Sequence, residues 1–103
     1  MKDLTPFRDL LVSVDPKARK YAPVDTKGDY TTWTPGGIIR ELADDTDDNT
    51  TQRVYVDRYT RNDGDTIATA LYDALNANYI PFEYERDYEA DTRYIHHIFT
   101  CYI

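Results

Sequence analysis

Cysteine, serine, positive charge and long apolar runs are all scarce in this chain, and each shortage removes a class of function. Cys101 is the only cysteine, so no internal disulfide can form and an oxidising compartment is not indicated. No apolar run is long enough to cross a bilayer, which argues against a membrane role. The opening residues, MKDLTPFRDLLVSVD, lack the uninterrupted apolar stretch of a signal peptide, so a cytosolic origin is expected. Serine occurs once, at Ser13, near a predicted helix end with no nucleophile elbow around it. Twelve Lys/Arg face 19 Asp/Glu, a net charge of −7, which opposes ordinary binding to a phosphate backbone.

What is abundant is acid and tyrosine. The charge is uneven: residues 1–40 carry a net of +2, whereas residues 41–103 carry −9. Lys17, Arg19 and Lys20 form the only basic cluster, read as a solvated linker after the first helix. Ten tyrosines supply much of the apolar area. Tyrosine suits half-buried faces and subunit contacts, because its ring buries while its hydroxyl keeps a partner. At 103 residues the chain is expected to be a single domain, 1–103, with one core.

The patterning predicts an α+β fold: a mostly antiparallel sheet with two helices packed on it, in the order α-β-β-(long loop)-β-α-β-β. Thr5-Pro6 reads as a helix start with Thr5 as N-cap, followed by the stripe Phe7, Leu10, Leu11 and Val14 and a stop at Asp15-Pro16. Two short strands, near 20–24 and 30–34, are expected around a turn at Lys27-Gly28-Asp29. Pro35-Gly36-Gly37 is expected to break the second strand and open a long loop at about 36–52, with Ile38, Ile39 and Leu42 in one helical turn. Arg53 to Thr60 reads as a central strand, with Val54 and Val56 on one face and Tyr55 and Tyr59 on the other. Asn62-Asp63-Gly64-Asp65 then turns into a helix with Ile67, Leu71, Ala74 and Leu75 as its stripe. Ile80, Phe82, Tyr84 and Tyr88 alternate with Glu83, Glu85, Asp87 and Glu89, a strand with one wet face. A turn at Glu89-Ala90-Asp91 leads into a last strand over 93–103.

Metal and catalytic readings fail at their discriminating positions. From Asp45 the text D-x-D-x-N resembles the start of a calcium loop, but the required glycine is Thr50 and the required glutamate is Val56. His96 and His97 are strand neighbours on opposite faces, and no spaced histidine or second cysteine completes a zinc site. Cys101 and His97 share a face but stand roughly 13 Å apart at strand rise, too far for a catalytic pair. Glu83 and Glu85 lack an apolar pocket to raise one pKa. Gly36-Gly37 lacks the lysine and context of a phosphate loop. The sequence therefore predicts no enzyme, no cofactor and no bound metal.

Asp29-Tyr30-Thr31-Thr32-Trp33-Thr34, Val54 to Thr60 and Tyr88 to His97 resemble the small tail-terminator or tail-completion proteins of long-tailed bacteriophages. The resemblance implies a virion protein, made in the host cytoplasm, that forms a ring, expected to be a hexamer. Such a ring caps the head-proximal end of the tail tube, touching the major tail tube protein and the head-completion or neck connector protein. DNA would pass through its channel without specific binding. On this reading Asp44, Asp45, Asp47 and Asp48 form a partner- or lumen-facing loop, and Trp33, Tyr55 and Tyr59 are subunit-interface aromatics. Two rivals stay open: an acidic DNA mimic that inhibits a nuclease or other DNA-binding protein, and a small intracellular enzyme or ligand-binding domain.

Overall fold

A computed structural model describes residues 2–23, 25–40 and 50–103. In chain order the elements are α1 (Thr5–Val14), β1 (Arg19–Lys20), β2 (Tyr30–Arg40), β3 (Thr50–Thr60), α2 (Thr66–Ala77), β4 (Phe82–Glu89) and β5 (Tyr94–Tyr102). The α+β class and the order of elements agree with the sequence reading. The strands form one mixed sheet in the order β1-β2-β3-β5-β4, antiparallel except for the parallel pair β1–β2. No helix among the described residues is long and apolar enough to cross a membrane.

Both helices cover one face of the sheet. Along β3 the even positions Gln52, Val54, Val56, Arg58 and Thr60 are buried beneath them, and the odd positions lie half-buried on the opposite face. Phe7 and Leu11 of α1 and Leu71 and Leu75 of α2 pack against Val54, Val56, Phe99, Cys101 and Trp33. Helices this short are marginal alone, so it is this apolar docking that holds them. Ala68, outside the stripe expected from the sequence, is also buried on α2. Both helix starts rest on aspartate. Asp65 caps α2 by accepting from the Ala68 N–H, whereas α1 has Leu4 at its N-cap and no side-chain cap. Thr5, expected to cap α1, is its first residue and donates its own N–H to Asp3.

Three local expectations are corrected. The strands before and after Lys27-Gly28-Asp29 are not a hairpin: β1 has two residues and runs parallel to β2, with Arg19 opposite Thr32 and Lys20 opposite Trp33. Tyr21 adopts a left-handed backbone (φ 69°), which bends the chain off the sheet after Lys20. Pro35-Gly36-Gly37 does not break β2. The register with β3 shifts between Pro35 and Ile38, and pairing then resumes from Ile38 opposite Gln52 to Arg40 opposite Thr50. An irregularity of this kind absorbs a proline and two glycines inside a strand pair. Gly36 is required there: a Cβ would lie 2.7 Å from the Tyr55 ring, and its carbonyl accepts from the Gln52 amide. Residues 36–40 and 50–52, expected as loop, are therefore strand, and Ile38 and Ile39 are not helical. Leu42 and the aspartates Asp44, Asp45, Asp47 and Asp48 lie outside the described residues.

Candidate interaction surface

The sheet face without helices is lined by the half-buried side chains of β2, β3 and β5. Cross-strand pairing of Tyr30 with Tyr59, and of Tyr59 with His96, puts three rings in a row. Tyr30 and Tyr59 stack at 4.6 Å, Tyr59 and His96 at 4.1 Å, and Tyr94 meets both tyrosines edge-on. Such pairs add to sheet stability beyond the area they bury. His96 Nε2 lies 2.7 Å from Asp57 Oδ1, on the same face. Burial, reinforced by the Asp57 carboxylate and by Tyr30, pushes the Tyr59 phenol up to about 12. Burial raises Tyr30 too, with Tyr94 and Glu89 adding to it. Beyond this row, Tyr94 Oη reaches the carbonyls of Thr26 and Gly28 at 2.6 Å each, and Arg61 reaches Lys27 O, pinning the loop before β2.

The two sheet edges carry opposite charge. At one edge β4 presents Glu83, Glu85, Asp87 and Glu89 on the helix-free face, as the alternation predicted, and almost the whole strand is exposed. Glu83 accepts from Tyr102 Oη, and Glu89 Oε2 is buried with no hydrogen-bond partner among the described residues. Exposed Tyr84 and Tyr88 stand on the other face of the same strand. At the opposite edge a groove of about 700 Å³ opens between α1 and β1–β2, with Lys2, Arg8, Arg19 and Lys20 among its lining residues and Asp3 as the one acid. Its floor includes Trp33 and Pro35. Lys20 Nζ sits 5.2 Å from the centre of the Tyr21 ring and 5.3 Å from that of Trp33. Arg19 and Lys20, read together with Lys17 as a plain linker, are thus an edge strand and one wall of a groove.

Of the three aromatics expected at a subunit interface, the structure separates one from the others. Trp33 is 3% exposed and packs edge-on against Phe7, so it belongs to the core of this chain rather than to a contact surface. Tyr55 and Tyr59 lie half-buried on the helix-free face. The sequence reading also missed Arg58. Its guanidinium is buried and forms a two-pronged pair with Asp65, through Nε at 2.9 Å and Nη2 at 3.1 Å. It also donates to Thr31 and stands 3.6 Å from Asp15 and 3.9 Å from Asp29. The available signal was position: Arg58 continues the inward series Val54, Val56, where a cation needs buried carboxylates.

His97 is buried on the helix-covered face, the face it was expected to share with Cys101, in a small cleft with Tyr84, Arg86 and Asp65. Its Nδ1 lies 2.7 Å from Tyr84 Oη. Burial, with the Arg86 charge adding to it, holds the imidazole below its ordinary value of 6.5. The neutral ring can therefore accept a hydrogen bond from the Tyr84 hydroxyl. Burial also pushes the Cys101 thiol up to about 12, leaving it protonated and inert at neutral pH. No group of three or more metal-ligating side chains occurs among the described residues.

Acid should destabilise the fold in two steps. Burial would raise the Asp65 carboxyl, but hydrogen bonds from Arg58 and the Ala68 N–H outweigh it and hold the group below its ordinary 3.8. Asp65 and His97 shift the same way, so in each case the unfolded chain binds the proton more readily. Stability should be full above 6.5, fall as pH drops through the window below that where only the unfolded histidine protonates, and fall again below 3.8. Urea midpoints measured against pH test this, and replacing His97 with asparagine should remove the upper step alone.

A scan against known protein families finds no match to this chain, and a search of curated proteins finds none either.

Proposed function

We propose that this chain is a structural subunit that assembles with copies of itself into a ring ending a phage tail tube. The observation that carries this reading is the helix-free sheet face, where tyrosines lie half-buried with no layer above them among the described residues, between two edges of opposite charge. An exposed sheet with an aromatic face and free edges is a surface for association. In the ring the tail tube protein and the neck connector would hold the two rims, and DNA would pass through the channel. An acidic lumen suits that passage because it repels phosphate.

Negative-stain images of the purified chain, with its solution mass, test the proposal. Closed rings of about six copies are expected, and a species that stays monomeric at every concentration and at low salt would count against it. The carboxylate row of β4 favours one second reading, an acidic mimic of DNA. Such a protein would stay small and bind a basic partner tightly, at an affinity that falls steeply with salt.

A further inference from the structure

We infer that copies of this chain join head to tail, the acidic β4 edge of one entering the basic α1–β1–β2 groove of the next. The inference rests on the reading of the chain as a self-assembling subunit, and it names the surfaces that meet. The side chains of Glu85 and Asp87 are exposed and make no hydrogen bond or ion pair among the described residues. On the other side Lys20 is exposed, with the Tyr21 and Trp33 rings beside its charge and no ion pair among the described residues, and Arg8 is exposed beside Asp9.

One chain cannot satisfy both surfaces by itself. They lie on opposite edges of a five-stranded sheet, which puts them roughly 19 Å apart at ordinary strand spacing. That exceeds the screening length of about 8 Å at physiological salt. Neither surface can meet the other within one chain, so each is open to a complement on another molecule.

The pairing is also directional. A two-fold contact made through one edge sets that edge against its own copy, which here would press carboxylates on carboxylates or cations on cations. Acid against base is a heterologous contact, the kind that propagates and closes into a ring when its rotation permits. Backbone is free for it as well. β1 covers only Thr32 and Trp33 of β2, and the outer edge of β4 has no partner among the described residues. Exposed Tyr84 and Tyr88 on the entering strand, and Tyr21 at the groove, add apolar area.

Charge reversal tests this on the full chain. One variant carries Glu85→Lys with Asp87→Lys, the other Arg8→Glu with Lys20→Glu, each checked for the parent's circular dichroism and melting. Alone, each should weaken assembly by roughly a hundredfold or more, because like charges then meet across the contact. Mixed together, the two should assemble again, alternating around the ring. If reversal unfolds the β4 variant, the neutral pair Glu85→Gln, Asp87→Asn should still weaken assembly, by a smaller factor. Variants that assemble like the parent, a mixture that fails to recover, or a parent that forms only two-fold dimers would overturn the edge pairing. Rings indifferent to reversal would leave the ring reading standing and remove this one. Open filaments that obey the reversal and rescue would do the opposite.

Discussion

Replacing Arg58 with alanine should cost roughly 3–5 kcal/mol, a large part of the stability of a domain this size. The cost arises from what remains. Asp15 and Asp65 are buried, and without the guanidinium both would be left charged with no cation. Arg58 also ties three separate places together: the C-terminus of α1 through Asp15, the approach to β2 through Asp29, and the start of α2 through Asp65. Asp29 is held further by Thr60 Oγ1 and by the Arg61 N–H. Denaturant unfolding at neutral pH reads the loss. The pH slope separates this account from simple loss of packing. In the parent, Asp65 favours higher pH. In the variant, the orphaned carboxylates prefer to be protonated, so stability should rise as pH falls through the carboxylate range. A second change, Asp65→Asn, should recover part of the deficit.

Trp33→Ala should cost a similar amount, about 3–5 kcal/mol, and the loss should not depend on protein concentration. The ring is 3% exposed and fills the space between Phe7 and the sheet, while Lys20 lies over it. Truncating it would open a cavity under α1 and loosen the wall of the basic groove. Had Trp33 been an interface residue alone, its removal would have spared the isolated chain. Melting of a dilute, dissociated sample distinguishes the two. Tyr55→Ala, on the helix-free face, makes the opposite comparison and should be the milder change to the monomer.

The elements that the sequence made legible are those whose period leaves one reading. Val54 and Val56 alternate with Tyr55 and Tyr59, and α2 repeats apolar residues at helical spacing, so both stood out. Asp57, the odd-position neighbour of Tyr59, then fell on the helix-free face with His96. What stayed hidden depends on tertiary partners. Pro35-Gly36-Gly37 looks like a terminator in isolation, but β3 supplies the pairing that carries β2 across the irregularity. Arg58 looks like a surface charge until Asp15, Asp29 and Asp65, distant in sequence, are brought round it. The parallel docking of β1 rests on a left-handed Tyr21, which no local propensity favours. At the candidate surface, the alternation exposed the carboxylate row of β4 directly. The basic groove was not visible, because it joins Lys2 and Arg8 from the N-terminal region to Lys20 across the end of the sheet.

Native mass spectrometry of the full chain, over a range of salt, tests the central claim most directly. The account predicts a closed assembly of about six subunits, each of 12.0 kDa, that dissociates as salt screens the acidic edge from the basic groove. A single 12.0 kDa species at low salt, unchanged across concentration, would contradict it.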